Sequence, residues 1–316
     1  MKTFDEIYEE LQNVDNNELN NAWQEAKKES EKMKKIAGAI CLIIDILFII
    51  MFFKNFINFD SIFLIFYIMF VINVIIFVTV IAITGVSKKQ RQFNEKYKKI
   101  VINKIMNNFY DNLEYFPQKP MPEYIYEQIE YEYYNKYKSD DYFEAQINNR
   151  YSIQMAEILS QEEETYRDSE GNTHTTTTTK FHGLFAKIVI DKSINSELRI
   201  MQNRTILKKD RLNMDSSEFE KYFDVKASDP IVGMQLLTAD VMEELVQFEN
   251  KTNMKFDIVI KENELYLRFH SGSMFEVGNI KKGALDKEAV QKYFYMLNFT
   301  YNLSNKLINV INDAQI

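Results

Sequence analysis

Two apolar runs near the start of the chain constrain it more than any other feature. Residues 36–53 read IAGAICLIIDILFIIMFF and residues 61–86 read SIFLIFYIMFVINVIIFVTVIAITGV, with only KNFINFD between them. At about 1.5 Å of rise per helical residue they would be about 27 Å and about 39 Å long, enough to cross a hydrocarbon core of about 30 Å. So short a connection makes the two helices antiparallel neighbours. The expectation is a two-helix transmembrane hairpin, 36–53 and 61–86.

Flanking charge would orient that hairpin. Lys27, Lys28, Lys32, Lys34 and Lys35 precede the first run, Lys88, Lys89, Arg91, Lys96, Lys98 and Lys99 follow the second, and the turn holds only Lys54 and Asp60. The Lys/Arg bias places both termini in the cytoplasm of a bacterial cell and predicts a multi-pass protein of the inner membrane. Lys32, Lys34, Lys35, Lys88, Lys89 and Arg91 become candidates for contact with anionic lipid headgroups, at about 1 kcal/mol per charge. The polar stretch before the first run has no signal-peptide layout. The one cysteine, Cys41, sits inside the first run, so no disulfide framework can form within the chain.

Each run holds one conspicuous polar residue, Asp45 in the first and Asn73 in the second. A charged Asp at a bilayer centre costs about 2.5–3.5 kcal/mol on insertion scales, so it needs a partner or a task. Paired with Asn73 it would be a polar clip; in an assembly of several copies it could handle protons or ions.

Beyond the runs the charge divides. Residues 88–110 hold seven Lys/Arg against Glu95 alone, whereas residues 111–316 hold 24 basic and 34 acidic side chains. An acidic distal part has no electrostatic footprint for nucleic acid, and no nucleic-acid partner is expected.

Thr3 and Glu6 form a capping box, and Phe4, Ile7, Tyr8, Leu11 and Val14 recur at helical spacing, predicting an amphipathic helix over 3–35. A basic helix is expected over 88–116, ending at Pro117-Gln-Lys-Pro-Met-Pro122, followed by a tyrosine-dense helix over 123–138. From Tyr151 the period becomes two. Strands are expected around 151–156, 173–190, 196–206 and 231–237, and a hairpin over 256–269 turning at Lys261–Glu264. Helices follow at 216–223, from Thr238 to about Asn250, and over 287–312 behind Asp286. Gly183 marks a bulge or a close backbone approach. The domains are then 1–35, 36–86, 87–116 and 117–316, the last an α+β domain with a mainly antiparallel sheet and flanking helices.

The search for chemistry returns little. His174, His182 and His270 stand in no metal-ligand spacing, and Glu162-Glu163-Glu164 with Asp168 and Glu170 reads as a solvated charge run. His270-Ser271-Gly272-Ser273 has the residue types of a hydrolase without its spacing, and no nucleophile elbow or phosphate-binding loop occurs. No catalytic residue, metal ligand or cofactor site is assigned.

Phe181-His-Gly-Leu-Phe185, Glu218-Phe219-Glu220 with Phe223-Asp224-Val225 and Ser228-Asp229, and Leu236-Leu237-Thr238 with the helix after it form a recognisable set. This set resembles an uncharacterised bacterial family catalogued as domain of unknown function thirty-one thirty-seven. The resemblance implies a two-span hairpin ahead of a cytosolic domain and a LemA-type membrane protein as neighbour or partner; it implies no activity, cofactor or catalytic residue. The resulting reading is a membrane-anchored interaction module, an adaptor or envelope sensor, with a protein partner or a homo-oligomer. The alternative is a small oligomeric channel or transporter using Asp45. An enzyme with an unfamiliar site around Phe181–Phe185 and His270 comes third.

Overall fold

The alternation that begins at Tyr151 extends much further than the few residues that announce it. The computed structural model describes residues 1–14, 16–53, 68, 70–79, 88–129, 132–202, 211–277 and 282–314. Its strands are β1 (Asp111–Phe116), β2 (Lys136–Ile147), β3 (Tyr151–Arg167), β4 (Thr173–Gln202), β5 (Phe223–Ala227) and β6 (Phe256–Phe269). They form one antiparallel sheet in the order β1-β2-β3-β4-β5, with β6 also paired to β4. The labelled helices are α1 (Phe4–Val14), α2 (Asn16–Phe53), α3 (Lys88–Tyr97), α4 (Asn103–Met106), α5 (Glu123–Glu127), α6 (Pro230–Leu236), α7 (Ala239–Thr252) and α8 (Lys287–Asp313). A π-helical turn, Lys98–Ile102, joins α3 to α4.

The chain divides into two compact units: Met1–Ile7 with Val101–Glu276 and Ala289–Ile316, and Tyr8–Ile100 with Val277–Glu288. The first carries the sheet, and its fold class is the expected α+β. Successive strand residues point to opposite faces, so each face has its own core. On one side Ala156, Ile158, Phe181 and Phe185 pack with Ile125 and Tyr126 of α5 and with Met121, Tyr142 and Tyr266. On the other side a row runs straight across the sheet from Glu157 to Leu184 to Phe269. There Phe248 of α7 stacks on Phe299 of α8 with ring centroids 3.6 Å apart, and Phe256 and Phe269 close the cluster edge-on.

Several expected elements come out differently, each for a local reason. Residues 231–237 are not a strand but lie within or just after α6: Asp229 Oδ1 accepts from the Ile231 amide at 2.8 Å, and Pro230 begins the helix. That cap and the preset proline φ outweigh the β-branched pair Ile231-Val232. The basic helix stops at Met106, and β1 follows where more helix was expected. The tyrosine-dense helix is only the short α5, and β2 begins at Lys136. Lys261–Glu264 is no hairpin turn, because β6 continues through it with Glu262 at φ 55°, opposite irregular register in β4 between Val189 and Glu197.

In the second unit the ion pairs Glu25–Lys89 at 2.6 Å and Glu18–Lys96 at 2.8 Å join α2 to α3, so the chain returns antiparallel along α2. The transmembrane hairpin is nonetheless corrected: among the described residues no helix is long and apolar enough to cross a membrane. The continuous apolar stretch of α2 whose side chains are described lies within 36–50 and is interrupted by Asp45, where a span needs about 20 predominantly apolar residues. Residues 54–67, 69 and 80–87, which include the turn and much of the second run, lie outside the described residues. The multi-pass inner-membrane placement, the membrane anchor and the basis for lipid contact at Lys32, Lys34, Lys35, Lys88, Lys89 and Arg91 are withdrawn on the same finding.

Gly183 does mark a close backbone approach. A Cβ built there would stand 1.9 Å from the Phe269 carbonyl oxygen and 2.7 Å from the Ser271 amide nitrogen, whereas one at Gly38 meets nothing within 4 Å. Gly183→Ala should therefore lower the unfolding free energy by about 3 kcal/mol, the upper end of overpacking costs. Gly38→Ala, in mid-helix, should be neutral or slightly stabilising. Urea unfolding of both variants checks this; an unchanged midpoint for Gly183→Ala would refute the close approach.

Candidate functional site

Glu157 occupies an inward position of β3, on the alternation that carries Ile153 and Met155, and is 5 % exposed. A buried carboxyl needs donors. The amides of Met274 and Phe275, in the loop after β6, both donate to its Oε1. That loop is brought over β4 at Gly183, where the Gly272 amide donates to the His182 carbonyl at 3.1 Å.

Directly across from Glu157 on β2 stands Asp140, and beside it Asp141. The register of β2 against β3 slips between Asp140 and Phe143, a bulge that holds Asp141 in the left-handed region at φ 51°. Asp tolerates this conformation better than most residues. Asp141 is fully buried, its amide donates to the Pro117 carbonyl at 3.2 Å, and the Tyr115 hydroxyl donates to its Oδ1. Carboxylate oxygens of Asp140, Asp141 and Glu157 all lie within 4.8 Å of one another.

Burial, followed by the neighbouring Asp141 charge, pushes the Glu157 carboxyl up to about 8; the Phe275 and Met274 amides pull the other way without prevailing. Burial and then the Asp141 charge also raise the Tyr115 phenol. Glu157 is thus predominantly protonated at neutral pH. Three oxygen donors could hold a hard cation such as Ca²⁺ or Mg²⁺. However, N–H and O–H donors already occupy Glu157 Oε1 and Asp141 Oδ1, which favours a shared-proton arrangement over a full cation cage.

Glu157 is among the residues that line an open cleft of about 720 Å³, together with Pro120, Met121, Tyr137, Asp140, His182 and Ser273. At its rim His182 Nε2 and Ser273 Oγ are 3.3 Å apart. The acids that hold histidines are elsewhere: Asp168 on His174 at 2.8 Å and Asp257 on His270 at 3.1 Å. No Ser–His–acid chain is assembled among the described residues. His174 and His182, eight positions apart on β4, stand about 26 Å apart along the strand and share no site.

The other sequence candidates fall outside this cleft. Asn73 Nδ2 donates to Asp45 Oδ1 at 2.9 Å in the second unit. Lys89 pairs with Glu25, while Lys32, Lys34, Lys35, Lys88 and Arg91 are exposed. Of the acidic run, Glu162 pairs with Lys180 at 2.8 Å and Glu163 with Lys136. Sequence reasoning missed Glu157, Asp140 and Asp141. One signal was present: Ile153, Met155 and Glu157 share the inward phase of the strand, and an acid in that phase must be accommodated.

The raised Glu157 sets a pH dependence. Its unfolded value is the ordinary 4.5 and its folded value about 8. Between them the native state keeps a proton that the unfolded chain has released, so its contribution is fully present below pH 4.5 and is lost as pH rises to 8. The stability of Glu157→Gln relative to the unaltered chain should therefore increase from pH 5 to pH 8 and then level off, by urea unfolding at each pH. A difference that stays constant across that range would contradict the assignment.

Residues 179–308 match the family model described as Protein of unknown function (DUF3137), which bears out the resemblance read from the motifs. The match carries no information about a LemA-type neighbour. No curated protein matches the chain. A solved structure, the mycobacterial trehalose monomycolate transport factor A (TtfA), aligns at 7% identity over 67% of this chain and 94% of that one, with a TM-score of 0.33. A likeness that slight bears on neither fold nor function.

Proposed function

For a chain whose residues 179–308 fall in the DUF3137 family, we propose a non-catalytic interaction module whose cleft receives a positively charged side chain of a protein partner. The observation that carries this reading is the buried Glu157, packed beside Asp141 and opposite Asp140 at an open cleft. Such a group is costly to ionise alone and much less so when a lysine or arginine enters with it. Pro120 and Tyr137, which also line the cleft, offer apolar surface to the aliphatic stem that carries the charge. Binding then expels the Glu157 proton, and affinity rises with pH up to about 8. The channel reading of Asp45 depended on membrane spans and is not carried forward.

The test is a fluorescence titration of the full chain with lysine- and arginine-containing peptides and their norleucine counterparts, at pH 6.5 and 8. The expected result is binding that requires the charge, tightens at pH 8 and weakens at least tenfold in Glu157→Gln. Equal binding of norleucine peptides would overturn the reading. So would thermal stabilisation by Ca²⁺ or Mg²⁺ alone that Glu157→Gln abolishes, which would make the cluster a metal site.

A further inference from the structure

Past the body of the sheet, β3 and β4 continue as a two-stranded ribbon. Residues 162–167 pair in unbroken register with 173–178, from Glu162 opposite Thr178 to Arg167 opposite Thr173. The turn between them is held by Asp168, whose Oδ1 accepts from the amides of Glu170 and Asn172 at 3.0 and 2.8 Å. β6 joins β4 only from Leu184, opposite Phe269, so Thr173–Thr179 has no strand on its outer edge among the described residues.

Between the turn and the irregular register at Lys180, that edge lacks the devices by which exposed strands avoid pairing. Natural edges carry inward charges, prolines, bulges or very short strands. Here the sequence is Thr-His-Thr-Thr-Thr-Thr-Thr, with no charged residue, proline or glycine, and every residue is exposed. It spans about 23 Å at about 3.3 Å per residue, and its branched side chains favour the pleated conformation. The opposite edge of the ribbon, on β3, bears Glu164 and Arg167 and is protected in the usual way.

We infer that the Thr173–Thr179 edge pairs antiparallel with the same edge of a second copy of this chain, about a two-fold axis near Thr176. Self-pairing in this register sets Thr173 against Thr179, His174 against Thr178, and Thr175 against Thr177, so no like charges meet. A neutral, nearly homopolymeric strand is complementary to itself, as an isologous two-fold contact requires. The ribbons of two copies would then join into one four-stranded sheet.

Sedimentation of the full chain at 5–100 µM on the order of a weak self-association tests this. The expected result is a concentration-dependent dimer, lost in Thr176→Lys and in Thr176→Pro, with far-UV circular dichroism unchanged in the lysine variant. In a Cys41→Ser background, Thr176→Cys should cross-link two chains under mild oxidation, because partners in an antiparallel pair lie about 4.5–5.5 Å apart at Cα. Thr173→Cys, displaced from the axis, should not. A monomer throughout the range, or a dimer that survives Thr176→Pro with no cross-link at position 176, would overturn the inference.

Discussion

The ladder along β4 is the constraint on which the sheet unit depends. This one strand of 30 residues pairs with β3 and then β5 along one edge and with β6 along the other, so the register of three neighbours is set against a single backbone. A one-residue slip would turn every inward side chain outward, and Leu184, Phe269 and the Phe248–Phe299 stack together oppose it. Gly183 is where this strand admits the chain after β6, and that chain carries the Met274 and Phe275 amides to Glu157. The cleft chemistry is therefore a consequence of strand register.

Much of the sheet was legible because period-two alternation and turn residues survive in sequence. β3, β4 and the helices α7 and α8 lie close to where the pattern puts them, with Thr238 accepting from the Val241 amide and Asn253 ending α7 in the left-handed region. What was lost follows from competition between local signals. The Asp140–Asp141 bulge breaks the alternation of β2 and hides it behind tyrosines that suggest a helix. Lys261–Glu264 looks like a turn by composition, yet β6 continues through it, pairing with β4 on both sides of Glu262. The apolar runs were legible as apolar; that they form a transmembrane hairpin did not follow, since no described helix is long and apolar enough to cross a membrane.

The candidate site was the least legible part. Its acids come from β2 and β3, its donors from a loop more than a hundred residues away, and its cleft wall from the proline-rich stretch before α5. Histidines and acidic runs, which draw the eye in sequence, end up in local pairs such as His174–Asp168 and Lys180–Glu162. A lone inward Glu among apolar residues was the better guide, because burying a carboxyl without donors is costly and the fold must supply them.

The central claim is that Glu157 is a proton-holding carboxyl at the cleft, ready to exchange its proton for a cation. The direct measurement is an NMR titration of its side-chain carboxyl carbon, assigned by its disappearance in Glu157→Gln. The account predicts a midpoint near 8 for the free protein. A midpoint at the ordinary carboxylate value of about 4.3 would contradict it.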